Sequence, residues 1–298
     1  MVYRVRTVSE ERGGCWLEAV GAYFELTKPM ITAFVAFTAA VGFLVADTAH
    51  VDLPGTLHVL LGVALCSAGA LALNQYLERE ADALMLRTCG RPLPSRRIPP
   101  SRARLFACVL LVASVGHLIH WVGWLPALLA GTSAILYNLA YTPLKRLSLL
   151  ATPVGAIPGA LPVLIGWAAR TGALDTEGTA LFAIHFLWQL VHVLALGWNL
   201  RHDYERAGFR LIPSGSDRLI AWLMVGHAAL LFPLALAPWM LGLADDLYAV
   251  AALVLGGGMV AVTLAFLLGR TARRGRRVFV ASLLYHPLLL AALVAGAF

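Results

Sequence analysis

The residues best equipped for chemistry lie where apolar stretches end. Asn74, Glu78 and Asp82 fall at i, i+4 and i+8. On an α-helix each step of four drifts by only about 40°, so all three share one face. Two carboxylates and an amide oxygen stacked at a helix end suit Mg²⁺, which takes hard oxygen ligands and commonly bridges to phosphates. Glu80 falls on the opposite face and reads as solvated. Taken alone, the trio also fits an ordinary charged helix end. Directly after it, in RTCGRPLPSRRIPP, come Arg87, Thr88, Arg91 and Arg97, where Gly90 and the prolines break the helix into a loop. Guanidinium forks match phosphate oxygens bidentately. Carboxylates that hold a metal, followed closely by arginines, form a grip for a diphosphate. A basic cytoplasmic loop by itself explains some of these arginines, Arg102 and Arg104 foremost.

Two further constellations share this character. His185, Gln189, His192, Leu196, Asn199 and Asp203 follow a 4-3-4-3-4 spacing, which keeps them within about 40° of one helical direction. Polar groups inside a bilayer are costly and generally face the protein interior. One buried histidine is commonly a packing residue, but this stripe reads as one wall of a cavity for a substrate with polar groups. Tyr137, Tyr141 and Lys145 repeat the i, i+4, i+8 spacing. Lys145 would bind phosphate at a wet rim, with the face of Tyr141 one turn deeper, placed to stabilise a cation. Two interfacial tyrosines and a snorkelling lysine fit equally well. Arg87, Arg91, Lys145, Arg146 and Arg201 are the candidate diphosphate contacts. Together the features suit prenyl transfer: pyrophosphate leaves at the wet end, an allylic cation forms in the dry part, and the lipid tail runs into the membrane.

The elements that position these residues follow from composition. Of 298 residues, 60% are apolar and 13% charged. A soluble globular protein carries about a quarter charged residues, so this chain cannot clothe a water-soluble surface of ordinary size. A crossing helix needs about 20 apolar residues. Segments free of Asp, Glu, Lys and Arg occupy 30–46, 57–77, 105–122, 124–144, 150–169, 179–200, 219–243, 247–269 and 278–298. Nine crossings in one bundle are therefore expected, with Gly123, Trp124 and Pro126 turning the chain between the third and fourth. Of the 23 basic residues, only Arg170 falls on the side opposite the rest. That bias predicts a cytoplasmic N-terminus and an extracytoplasmic C-terminus. It also accounts for the net charge of +7 without nucleic acid. The chain reads as a single domain, 1–298, of which 1–25 is a cytoplasmic segment. The first residues lack an apolar h-region, so no signal peptide is expected. Cys15, Cys66, Cys89 and Cys108 have no metal-ligand spacing. The loops at about 78–104 and 201–218 are long and charged while the outer loops are short, which places function at the cytoplasmic face.

On these residues the chain resembles the intramembrane (UbiA-type) prenyltransferases, and most closely the protohaem IX farnesyltransferases, or haem O synthases. The segments that carry the resemblance are LTKPMI at 26–31, NQYLEREADALMLRT at 74–88, RPLP at 91–94 and YTPLKR at 141–146. With them come GAIPGALPVLIGWAA at 155–169, WQLVH at 188–192, DYERAGF at 203–209 and RRVFVASLLYHPLLL at 276–290. YTPLKR is shared across the wider superfamily; DYERAGF and GAIPGALPVLIGWAA point more narrowly to haem O synthase. The resemblance implies a nine-helix bundle with two acidic motifs acting through Mg²⁺. Asn74, Glu78 and Asp82 match the first motif and Asp203 the second. Trp188, Gln189 and His192 match a family segment, and with Asn199 they would line the acceptor site. Three departures stand out: Glu78 where Asp is usual, Val191 and Val193 where Pro and Phe are usual, and Arg210 where Pro is usual.

The resemblance implies farnesyl transfer from farnesyl diphosphate to a vinyl group of haem B, at the cytoplasmic side of the inner (plasma) membrane. Asp82, Asp203, Tyr141 and Lys145 would be catalytic, and His192 would ligate the iron or position a propionate. Prenylation of an aromatic acid or quinone precursor is the alternative within the superfamily. Transport of an anionic metabolite or lipid is the alternative outside it. No clear internal repeat is visible, and the charges cluster on one side only, which favours the enzyme.

Overall fold

The computed structural model describes residues 8–211 and 215–298, with side chains from residue 16 onward. Arg4 and Arg6 lie outside the described residues, as do the side chains of Arg12 and Cys15. The described chain is helical throughout. Its elements are α1 (Val8–Leu26), α2 (Pro29–Val45), α3 (Leu53–Leu84), α4 (Pro100–Trp121) and α5 (Trp124–Ile135), then a π-helical stretch (Leu136–Tyr141) and a short α6 (Thr142–Leu144). They continue with α7 (Ala151–Thr171), α8 (Thr176–Asn199), α9 (Arg201–Arg206), α10 (Asp217–Leu234), α11 (Ala237–Met240), α12 (Asp246–Leu268) and α13 (Ala272–Ala297).

Helix starts follow local chemistry. Asp52, Asp175, Asp245 and Thr271 cap α3, α8, α12 and α13, each side chain accepting from a backbone N–H three residues on. Pro29 and Pro100 sit in the first turns of α2 and α4, where the missing N–H costs nothing. The helix α3 has 32 residues and runs past the expected end of its apolar segment, so Glu78 and Asp82 stand on its last turns. Thr88 donates its hydroxyl to the Asp82 carbonyl at 2.8 Å and closes that end.

Among the described residues, seven helices are long and apolar enough to cross a membrane, and an eighth crossing is possible if α1 and α2, bent by 46°, form one span. The molecule is a multi-pass, all-helical membrane protein. The expected span at 124–144 is divided among α5, the π stretch and α6, because Thr142 donates to the Tyr137 carbonyl five residues back at 2.9 Å and widens the turn. Residues 1–25, read from sequence as a segment leading to the first span, contain most of α1.

Depth of burial orders the bundle. In its most apolar window α7 is 72% buried, whereas α4 is 22% buried and exposes Leu105, Val109 and Val112. The helix α7 packs against α2, α5 and α8, and α8 packs against α10 and α13. The α2–α7 crossing is close because Gly166 lies against the Ala39 carbonyl and Gly42 against that of Val163. A Cβ at either glycine would overlap backbone. At one end of the bundle Arg170 meets Asp47 at 2.7 Å and Asp52 at 3.4 Å. The acidic turns of α3 lie at the other.

Candidate active site

The acidic end of α3 meets the end of α6. Glu78 and Asp82 are buried, and each has a basic partner. Lys145 Nζ lies 2.7 Å from Glu78 Oε1. Arg91 Nη1 lies 2.8 Å from both Asp82 oxygens. Asn74 donates its amide to Thr142 Oγ1 at 3.0 Å, which ties α3 to α6. The three residues thus share one face of α3, as their spacing requires.

Lys145 also stands 4.5 Å from the centre of the Tyr141 ring, and Tyr141 lies 5.4 Å from Tyr137. Gly155 admits that ring: a Cβ there would come within 2.5 Å of it. Burial alone would lower the Lys145 ammonium. Tyr141 and the Glu78 carboxylate outweigh that and hold it above the ordinary lysine range. Lysine is therefore charged at working pH.

The segment after α8 folds over this end. Phe209, Ala207 and Tyr204 pack on Ala81 of α3 and on Met85 just past its end, and the Arg210 N–H donates to the Lys145 carbonyl at 2.8 Å. Asp203 is half-buried and pairs with Arg206. Burial pushes the Tyr204 phenol up to about 12, so it stays a hydroxyl. Tyr204 and Phe209 were not singled out from sequence, although both lie inside DYERAGF.

The arginines divide by role. Arg91 faces Asp82. Arg87 and Arg146 are exposed at the rim. Arg201 lies over the Trp198 ring at 4.3 Å and donates to the Trp198 carbonyl at 2.8 Å, so it braces the end of α8. Arg97 pairs with Glu25 at 2.7 Å and ties α1 to the loop. Beside Arg91 a groove of about 450 Å³ runs along Phe24, Glu25, Lys28, Met30 and Gln75. Lys28, in the break before α2, contributes an amine there. Burial, then the charges of Arg91 and Lys145, push its ammonium below the usual lysine range.

The polar stripe of α8 faces α13 more than an open cavity. His185 packs edge-on to His286 at 4.6 Å. His192 Nδ1 lies 3.0 Å from Ser282 Oγ. Asn199 donates to the Gly275 carbonyl at 3.0 Å and to the Ala195 carbonyl at 2.7 Å, so its amide joins the two helices. Trp188 donates to the Ser282 carbonyl at 2.6 Å and packs against His286 at 4.1 Å. Gln189 is the exception and packs against Gly159 of α7. His185 Nε2 and His286 Nδ1 are buried without a partner. Sequence reasoning missed the α13 side of this seam. Its signal was present: Gly275, Phe279, Ser282 and His286 repeat the 4-3-4 spacing of α8.

The residues fit magnesium in kind: Asn74, Glu78, Asp82 and Asp203 offer hard oxygens. Among the described residues no three of His, Cys, Asp or Glu stand close enough to hold a metal ion. Oxygens of a diphosphate would therefore complete any coordination at this site.

The UbiA prenyltransferase family profile matches residues 35–289. The chain belongs to the UbiA prenyltransferase family. It is 39% identical over 278 residues to a protein named protohaem IX farnesyltransferase from Solibacter usitatus, which covers 90% of this chain and 95% of that one. Its fold is that of solved UbiA-family proteins. A digeranylgeranylglyceryl phosphate synthase structure superposes with a TM-score of 0.80 at 17% identity, over 94% of this chain and 99% of that one. A UbiA homologue from Archaeoglobus fulgidus bound to DMAPP and Mg²⁺ gives 0.65 at 17% identity, over 92% and 99%. UbiA membership removes the transporter reading.

Proposed function

We propose that the chain transfers the farnesyl group of farnesyl diphosphate to a vinyl group of haem B, giving haem O and pyrophosphate. The observation that carries the reading is the cationic and acidic cluster at the end of α3 and α6, in a chain 39% identical to a protohaem IX farnesyltransferase over nearly its whole length. Arg87, Arg91, Arg146 and Lys145 bind the diphosphate. Lys145 stabilises charge on the departing oxygens as the C1–O bond breaks, and pyrophosphate leaves with the bonding pair. The faces of Tyr141 and Tyr137 border the allylic cation. The vinyl terminus bonds to C1, water adds at the inner vinyl carbon, and a proton is lost to solvent. Asn74, Glu78, Asp82 and Asp203 would hold magnesium, which when bound supplies positive charge against the diphosphate. His192, Gln189 and Trp188 border the macrocycle, with Asn199 bracing α8 below them.

The reading includes one domain over 1–298, nine crossings, a cytoplasmic N-terminus and an active site facing the cytoplasm from the inner membrane. The distribution of basic residues supports it, as does the pairing of Arg170 with Asp47 and Asp52 at the opposite end. The test is conversion of haem B and farnesyl diphosphate by purified protein in liposomes. Prenylation of a hydroxybenzoate in place of haem would overturn it.

A further inference from the structure

We infer that Ser282 is a positioning residue of the acceptor site, setting the tautomer and ring plane of His192 so that an unprotonated Nε2 meets the haem iron. This rests on the haem reading above.

Ser282 is fully buried on α13 and reaches α8 twice. Its carbonyl accepts from Trp188 Nε1 at 2.6 Å, and its side-chain oxygen stands 3.0 Å from His192 Nδ1. The direction of the second bond is fixed by a third. Ser282 donates its one hydroxyl hydrogen to the Phe279 carbonyl at 2.7 Å. Only lone pairs of that oxygen remain for His192, so Nδ1 carries the hydrogen and donates it. A neutral imidazole has one N–H, and Nε2 is left with its lone pair, the form that ligates iron.

The ring plane is held as well. Trp188 stacks on one side at 5.2 Å and 22°, and Phe279 lies at 5.2 Å and 32°. His185 and His286 are deeply buried, whereas His192 is half-buried. Of the three imidazoles it is the most accessible. It lies seven residues before Asn199, the end of α8, about 10 Å of helical rise, and Asp203 follows beyond that end on α9. That distance leaves room for a diphosphate head at one end and a macrocycle at the other. A carbonyl–hydroxyl–imidazole chain is the arrangement by which outer partners orient a metal-binding histidine and raise its basicity.

The test is absorption titration of purified protein with ferric haem, comparing wild type with Ser282→Ala, Ser282→Thr and His192→Ala. Ser282→Ala keeps the backbone carbonyl that holds Trp188 and removes only the hydroxyl. It should weaken haem binding about tenfold and move the Soret band toward that of His192→Ala, with the KM for farnesyl diphosphate unchanged. Ser282→Thr should restore the wild-type spectrum if both proteins show the wild-type melting temperature. Should Ser282→Ala unfold, the Thr variant and a Cys variant carry the same comparison. A wild-type spectrum and affinity in Ser282→Ala, alongside loss in His192→Ala, would overturn the role of Ser282 alone. Absence of haem uptake by wild type would overturn the haem reading, and the proposal with it.

Discussion

Lys145 Nζ stands 2.7 Å from Glu78 Oε1 although the two residues are 67 positions apart. Both side chains are about nine-tenths shielded from solvent, at 10% and 7% exposure. The contact joins a helix that ends in carboxylates to one that ends in a cation. In this chain the Glu78 side chain is long enough to reach the ammonium directly. Breaking a buried pair by removing one charge costs about 3 kcal/mol, whereas replacing both by apolar groups is commonly neutral.

Glu78→Leu alone and Lys145→Met alone should therefore each lower the melting temperature by several degrees. The double variant should recover most of that loss while remaining inactive. Glu78→Asp should stay active and Glu78→Gln should fail. Thermal unfolding in detergent beside turnover checks all five. Wild-type activity in Glu78→Gln would reduce the residue to a charged helix end.

In the proposed function Asp82 and Asp203 belong to the two acidic segments that hold the diphosphate through magnesium. Asp82→Ala and Asp203→Ala should each lower kcat by at least about a hundredfold, the scale of losing one electrostatic partner of the transition state. Asp82→Ala also leaves Arg91 without its carboxylate, so its substrate KM should change more than that of Asp203→Ala. Steady-state kinetics on folded protein separates the two. Activity within a few-fold of wild type in either variant would contradict the two-segment account.

Magnesium should be needed for turnover and dispensable for the fold. Lys145 and Arg91 already neutralise Glu78 and Asp82, so chelation removes no charge on which packing depends. Treatment with EDTA should abolish activity, leave the helical circular dichroism and melting temperature unchanged, and be reversed by added Mg²⁺. A melting temperature that drops on chelation would place the metal in the scaffold instead.

The sequence made particular parts of this legible and hid others for definite reasons. The α3 face was readable because helical periodicity is local: Asn74, Glu78 and Asp82 repeat every fourth residue and nothing distant alters that. The boundaries of α7, α8 and α12 followed from runs of apolar residues flanked by charge. The division of 124–144 was not readable, since the π turn depends on Thr142 reaching the Tyr137 carbonyl while also accepting from Asn74 of another helix. The basic residues were visible as a set, but their roles were not. Arg201 turns back onto Trp198 and Arg91 folds back across the loop to Asp82, while Arg97 holds Glu25, 72 positions away. The α8 stripe looked like a cavity wall because only one side of it was in view. Its partners on α13 lie about ninety residues away in the chain.

His192 should matter more for the acceptor than His185. His192→Ala should weaken haem binding and haem O formation while leaving farnesyl diphosphate binding within a few-fold of wild type. His185 donates through Nδ1 to the Leu181 carbonyl at 2.7 Å and lies two turns deeper, so His185→Ala should do less. Isothermal titration with each substrate measures the contrast. Equal losses of both substrates in His192→Ala would assign it to the scaffold.

The proposed function stands or falls on haem B as the acceptor. The most direct measurement is mass spectrometry of haems extracted from a bacterial strain lacking its own haem O synthase and expressing this chain. The account predicts haem O when wild-type protein is expressed and haem B alone when Asp82→Ala is expressed at the same level. Well-folded wild-type protein that yields no haem O, but prenylates an aromatic acid or quinone precursor, would contradict it.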